Sequence, residues 1–367
     1  MTAKILQLGK YYPPNWGGIE TVTYNLNQVL DCDEFEVTTF CYGDSSTKSD
    51  DGLINRFNYY HIFRTPISFS MLFQIIRQAD KFDYIILHVP NPWSILSLLM
   101  SGYNGKIVLY WHAESKGNRI LEMLVNFFQD RIIFRADYIL GATSKHCENM
   151  PNYERFRKKC FKYSYPVNKD LLDVSKCEED KDFNFTSGVR LLNIGRLVDY
   201  KGQRYLIEAV KFLVKEGYDI YLTLVGNGPL YDELSQLIST YNLVDRIDIK
   251  MDITSDDLKE ELVRSHIFCF PSVSEQEMYG MAQIEAYAYG LPVITTDIPR
   301  SGVQEVASSS FGALIVKPRN VCELVSSVKR IISEEGLALE LSRNGKNYVR
   351  GFSYSQKRSE FRELLSI

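Results

Sequence analysis

The feature that most constrains this chain is an alternation that runs, stops and then runs again. Short β-rich stretches alternate with helix-length amphipathic ones, and KILQLG, FEVTTFCY, DYIILHVP, KIVLYWHA and DYILGAT mark the strands of the first half. After Pro166 the polar stretch VNKDLLDVSKCEEDKDFNFTSG shows no clear period and reads as a linker. The pattern then restarts with VRLLNIG, a helix near 202–216, DIYLTLVG, a helix near 230–241, RIDIKM, a helix near 256–264, HIFCF and PVITT. Strands separated by helices pair in parallel, with the helices packed on the sheet faces. Two such runs predict an α/β chain of two Rossmann-like parallel-sheet lobes facing each other across a cleft. The expected boundaries are 1–168 and 169–351, and FSYSQKRSEFRELLSI (352–367) reads as a terminal helix that packs back on the first lobe. A length of 367 residues suits two domains, each with its own core.

Composition removes several classes. With 45% hydrophobic and 24% charged residues the chain matches ordinary water-soluble proteins. No apolar run approaches the roughly 18 residues of a transmembrane helix. The start, MTAKILQLGKYYPP, is wrong for a secretory signal, so a cytoplasmic protein is expected. Seven scattered cysteines without a CxxC pair, and five histidines without HxxxH spacing, favour reduced thiols and no metal site. Asp31-Cys32-Asp33 has the spacing of a DxD motif but falls between a helix and a strand at the wrong edge, and reads as solvated. The formal net charge of −4 gives no case for nucleic-acid binding, although residues 1–168 carry a net +2 and the remainder −6.

In parallel α/β sheets ligands bind beyond the carboxyl ends of the strands. KILQLG runs into KYYPPNWGG, which places Gly17 and Gly18 at a helix start, either as an anion-binding turn or as a simple turn. The loop is not a GxGxxG fingerprint, which weakens a nicotinamide-cofactor reading. LLNIG runs into RLVDYKGQ, so Arg196 and Lys201 flank a strand-to-helix loop, suited to a diphosphate or else simply solvated. VGNGPL supplies Gly226 and Gly228 after the next strand. Beyond HIFCF, PSVSEQEM reads as a loop and a helix opens near Gly280 with MAQIEAYAY. Glu277 then lies in the loop and Glu285 about one and a half turns into the helix, among apolar neighbours. An acid in such a place needs hydrogen-bond partners, which sugar and ribose hydroxyls can supply.

These residues carry a resemblance that spans nearly the whole chain. YPPNWGGIE (12–20), WHAE with His112, IGRLVDYKG (194–202), VGNGPL and FPSVSEQEMYGMAQIEAYAYGLPVITT resemble, in order, five motifs of the retaining glycosyltransferases of family 4. Each motif is weak alone, and five in family order at strand ends are specific. The resemblance implies the two-lobed GT-B fold and a nucleotide-sugar donor, without a cofactor or metal. It further implies that Glu277 contacts donor-sugar hydroxyls and Glu285 the ribose hydroxyls. Arg196, Lys201, Gly226 and N–H groups of Tyr279, Gly280 and Met281 would serve the nucleotide diphosphate, with Gly17 and Gly18 approaching from the first lobe. His112 would sit beside the transferred sugar as a positioning group, the alternative being a satisfied histidine at a strand end. Two departures stand out. The loop from Pro271 to Glu277 is two residues longer than usual, which makes Glu275 a rival acid; Glu277 is preferred because it keeps the eight-residue offset and the aromatic-Gly pair that follows. The interdomain PNGVD-like stretch appears only as PVNKD.

The expected reaction is transfer of a hexose to a hydroxyl of a saccharide, lipid-linked, in cell-surface polysaccharide synthesis. DIPRSGVQEV (297–306) leans to GDP-mannose, a UDP-hexose being the alternative, and base choice is expected near Lys250 and Met251. Rival classes are a non-catalytic sugar-nucleotide sensor and a Rossmann oxidoreductase. Residues 116–162 hold ten Lys+Arg against five Asp+Glu, and NRILEMLVNFFQDRIIFR has apolar and basic residues at roughly helical spacing. That pattern fits either an anionic membrane surface on the inner face of the cell membrane or a core-facing helix with a solvated basic face.

Overall fold

The computed structural model describes residues 2–15, 17–44, 53–62, 65–112 and 119–365, with side chains of the last segment from residue 125 onward. Trp16 of the first glycine loop, Ala113 and Glu114 after His112, and Lys116 lie outside the described residues. Contacts divide the chain into a first unit, Met1–Val167 with Ser353–Ile367, and a second, Asn168–Phe352.

In the first unit, strands β1 (Ala3–Leu8), β2 (Phe35–Tyr42) and β3 (Ile54–Phe57) are followed by a small antiparallel ribbon, β4 (Tyr60–Ile62) and β5 (Thr65–Ile67). Strands β6 (Tyr84–Val89), β7 (Lys106–Trp111), β8 (Tyr138–Gly141) and β9 (Cys160–Lys162) complete it. Among the described residues the main sheet has seven strands in the order β3-β2-β1-β6-β7-β8-β9, every neighbouring pair parallel. The second unit holds β10 (Val189–Ile194), β11 (Ile220–Val225), β12 (Ile247–Lys250), β13 (Ile267–Phe270), β14 (Val293–Thr296) and β15 (Ala313–Val316). They form a parallel sheet ordered β12-β11-β10-β13-β14-β15. The central strands are apolar along most of their length because helices cover both faces, and Ile5, Leu6, Leu8, Ile267 and Phe268 are fully buried. In each sheet the order reverses beside the first strand of the unit, β1 or β10. That reversal opens a crevice at the carboxyl edge.

The polar stretch after Pro166 is not a plain linker. It opens with the helix Lys169–Ser175, whose first turn is capped by Asn168 Oδ1 accepting from the Leu171 N–H at 2.8 Å. Fewer than two turns leave no measurable period, which is why the pattern hid it. Further along, Lys346 donates to the Cys177 and Glu179 carbonyls and Arg343 pairs with Asp180, so the stretch is fastened to the helix Leu337–Arg350. The strands β3, β9 and β15 also escaped the sequence pattern, each being an edge strand of three or four residues.

The terminal helix Tyr354–Leu365 belongs to the first unit. Arg358 Nε donates to the Val29 carbonyl at 2.8 Å, at the end of the helix Gly18–Leu30. Phe361 is fully buried against Phe35 and Tyr163. Asp31 and Asp33 are exposed where that first helix turns into β2.

Candidate active site

Three strand-end loops of the second unit are tied together through their backbones. Gly195 N–H donates to the Val225 carbonyl and Leu197 N–H to the Asn227 carbonyl, both at 2.9 Å, which joins the loops after β10 and β11. Val273 N–H donates to the Tyr200 carbonyl at 2.8 Å, which joins the loop after β13. Glycine is required where these loops touch. At Gly226 the backbone has φ +146°, and a Cβ would lie 2.1 Å from the Gly195 carbonyl oxygen. At Gly202, with φ +71°, a Cβ would lie 2.1 Å from the Pro271 carbonyl oxygen.

This frame sets the charged groups. Lys201 closes the short turn Asp199–Lys201 and its ammonium pairs with Glu277 Oε2, both side chains being nearly buried. The same ammonium lies 5.0 Å from the centroid of the Phe270 ring. Ser272 Oγ donates to Glu277 Oε2 at 3.5 Å. Glu277 is 9% exposed. Glu275 points to solvent and comes only within 4.0 Å of Arg300, so the structure brings Glu277 and not Glu275 into this set. Arg196 is exposed, and among the described residues no group pairs with its guanidinium. Its carbonyl accepts from Gln203 Nε2 at 3.0 Å, which pins the loop beneath it.

The helix Met281–Ala288 starts from Gly280, which has φ +76° and no side-chain cap. The N–H groups of Gly280 and Met281 have no acceptor among the described residues. Tyr279 is buried beside them. Glu285 is half-buried on this helix, and no described group bonds or pairs with its carboxyl. Burial pushes that carboxyl up to about 7. Sequence reasoning missed the supports of the acid loop. Ser301 Oγ donates to the Glu277 carbonyl, Thr296 Oγ1 donates to the Ser272 carbonyl, and Gly302 N–H donates to the Met278 carbonyl at 2.9 Å. All three lie at or just after β14, in or beside DIPRSGVQEV, a segment read only for donor identity.

The first unit presents a different picture. Gly17 precedes the helix Gly18–Leu30, which has no side-chain cap, and a Cβ there would lie 2.4 Å from Glu20 Oε2. The helix start is thus already complemented by its own carboxylate, whereas Gly18 has open space on its Cβ side. His112 follows β7 and is 6% exposed. Both its ring nitrogens are engaged, Nε2 with His88 Nδ1 at 2.9 Å and Nδ1 with the Tyr165 hydroxyl at 2.8 Å. Burial, then the neighbouring His88 and His146, hold its pKa well below the ordinary histidine range. His112 is therefore a neutral ring spent on protein partners, and a sugar hydroxyl reaches it only by replacing one of them. His88 and Tyr165 were not singled out from the sequence. A histidine inside the apolar run YIILHV was the available signal, because a buried polar ring demands a partner.

Among the described residues, the second unit's edge offers an unpaired guanidinium, two free N–H groups at a helix start, a lysine–carboxylate pair and a lone carboxyl. Such a set can hold a diphosphate and accept from hydroxyls. Comparisons with known proteins supply the family and the fold. The family described as "Glycosyl transferases group 1" matches residues 177–348, and "Glycosyltransferase Family 4" matches residues 16–158. The O-antigen chain mannosyltransferase C of Escherichia coli is 23% identical over 93% of this chain and 91% of its own length. D-rhamnosyltransferase WbpZ of Pseudomonas aeruginosa is 24% identical over 76% of this chain and 72% of its own. The crystal structure of HepE from Anabaena in complex with UDP superimposes with a TM-score of 0.75 at 15% identity, covering 99% of both chains. The fold is GT-B.

Proposed function

This chain belongs to glycosyltransferase family 4, and we propose that it moves a hexose from GDP-mannose to a hydroxyl of a lipid-linked saccharide during cell-surface polysaccharide synthesis. Its chemistry is retaining transfer from a nucleotide sugar, which sets aside an oxidoreductase or a sensor. The observation that carries the donor assignment is Glu285, a half-buried carboxyl on a helix whose start also leaves two N–H groups free, none of these groups having a partner among the described residues. Ribose hydroxyls supply the missing donors, and the diphosphate takes the helix start and Arg196. As the diphosphate draws the Lys201 ammonium toward itself, Glu277 is released to accept from the donor sugar. The leaving diphosphate then takes the acceptor proton on the same face of the sugar, while the protein orients the groups and stabilises the charge. Mannose is supported by DIPRSGVQEV and by the mannosyltransferase among the relatives. A UDP-hexose is the second reading, since the Anabaena protein was also crystallised with UDP-glucose. A thermal-shift panel separates them, because a donor at 100 times its Kd adds roughly 2.7 kcal/mol of stability.

The diphosphate assignment has its own test. Arg196→Ala and Lys201→Ala should each weaken nucleoside diphosphate binding about tenfold, the scale of one lost charge-assisted hydrogen bond, while the free nucleoside binds as before. Equal losses for both ligands in calorimetry would remove these residues from the diphosphate site.

A lipid-linked acceptor requires a membrane surface. No helix among the described residues is long and apolar enough to cross one. The helix Arg119–Arg135 buries Ile132 and Ile133 but exposes Phe127 and Phe134. Arg131 lies 4.2 Å from the Phe127 ring centroid and Arg155 5.5 Å from that of Phe134. Aromatic rings beside guanidinium groups suit an anionic interface. In sedimentation with vesicles the protein should prefer anionic over neutral lipid, and Phe127→Asp with Phe134→Asp should abolish that preference. Equal binding to both lipids would leave this face without a membrane role.

A further inference from the structure

Three neighbouring strand ends of the first unit deliver one buried polar chain. Gln7 stands on β1, His88 on the adjacent β6, and His112 directly after the next strand, β7. Gln7, His88 and His112 are each buried, and the two imidazoles stack with centroids 5.2 Å apart and planes 5° from parallel. The chain has a direction, and Gln7 sets it. Its Nε2 lies 3.1 Å from the Thr23 carbonyl and 2.7 Å from Asn27 Oδ1. A backbone carbonyl only accepts, so the amide nitrogen must face it and Oε1 must face His88 Nε2, at 2.9 Å.

Gln7 Oε1 cannot donate, so His88 Nε2 carries the hydrogen. Burial pulls the His88 pKa down to about 3, and a neutral ring has one N–H, so its Nδ1 accepts. His112 Nε2 therefore donates to it, and His112 Nδ1, on a ring that is also neutral, accepts from the Tyr165 hydroxyl. Reversal would turn Gln7 Oε1 against the Thr23 carbonyl, and each buried polar group left unmatched costs about 1–3 kcal/mol.

We infer that His88 is a positioning residue for sugar transfer: backed by Gln7, it holds His112 in the tautomer whose Nδ1 is a hydrogen-bond acceptor, so that His112 offers a lone pair to a substrate hydroxyl that takes the place of Tyr165. This rests on the reading of His112 as a group beside the transferred sugar. It explains why a second histidine stands behind the first, where an aliphatic side chain would serve the sheet equally well. It also assigns the two neighbours of His112 unequal parts. His88 sets the tautomer, while Tyr165 occupies the acceptor until a hydroxyl arrives.

The test reads the tautomer directly, by nitrogen-detected NMR of the histidine rings in the purified full chain. Wild type and Tyr165→Phe should both show His112 protonated at Nε2 and bare at Nδ1. His88→Leu should lose that state, and His88→Gln should restore it, because an amide can accept from His112 and donate to Gln7 at once. In kinetics His88→Leu should lower kcat about tenfold with the donor KM nearly unchanged, the scale of one misdirected hydrogen bond, and His88→Gln should recover most of it. Wild-type His112 protonated at Nδ1, or a tautomer that follows Tyr165 and ignores His88, overturns the inference. If instead the tautomers behave as stated but His112→Ala transfers at the wild-type rate, the reading of His112 as a group beside the sugar fails on its own.

Discussion

Glu277→Gln should lower sugar transfer by on the order of a hundredfold or more while leaving nucleoside diphosphate affinity nearly unchanged. A carboxylate accepting from hydroxyls contributes about 1.5–3 kcal/mol, and each 1.36 kcal/mol is tenfold in rate. The two effects separate because the charged group that Glu277 meets in the protein is Lys201. The amide keeps the size of the side chain but no longer neutralises that ammonium, so the diphosphate site loses none of its attraction. The sugar site loses its anion. Glu275→Gln is the control for loop register, since Glu275 points to solvent beside Arg300. Steady-state kinetics with calorimetric binding decides the matter: an essential Glu275, or a nucleotide affinity that falls as far as the turnover, would contradict the assignment.

Glu285→Gln should weaken nucleoside diphosphate binding roughly ten- to a hundredfold even with no sugar attached, by the same carboxylate–hydroxyl arithmetic. Its carboxyl also makes the site sensitive to pH. Burial raises the pKa from its ordinary value of 4.5 to about 7, so between those values the folded protein holds a proton that the unfolded chain has released. Stability contributed by that proton is present at low pH and is lost as pH rises toward 7. Ribose hydroxyls favour the ionised form, so binding should expel a proton near neutrality and tighten between pH 6 and 8. In Glu285→Gln the proton release should vanish, and the unliganded variant should gain thermal stability over wild type above pH 7. Calorimetry in two buffers of different ionisation enthalpy measures the release. Proton release equal in wild type and variant would place the titrating group elsewhere.

How legible each part was depended on its range along the chain. VRLLNIG and HIFCF announced strands because burial on both faces leaves a run of apolar residues that sequence displays directly. The helix Met281–Ala288 could be placed from Gly280 onward because a helix start and its apolar set are local. The helix Lys169–Ser175 and the edge strand β9 could not, since seven and three residues are too few to show a period. His88 left a trace, a polar ring in an apolar strand, without saying what it met.

The sequence alone determined the alternation of strands and helices, hence two parallel sheets, the strand-end loops in which Arg196, Lys201 and Glu277 lie, and the helix after the last of them that carries Glu285. Those are consequences of periodicity and chain order. Tertiary structure decided which of these groups meet. Lys201 and Glu277 lie 76 residues apart and form one ion pair, while Glu285, eight residues beyond, finds no partner among the described residues. Gln7, 81 residues before His88, sets the direction of a hydrogen-bond chain that ends on His112. Parallel sheets bring sequence-distant strand ends side by side through crossover connections, and the donors and acceptors matched there have no local signature.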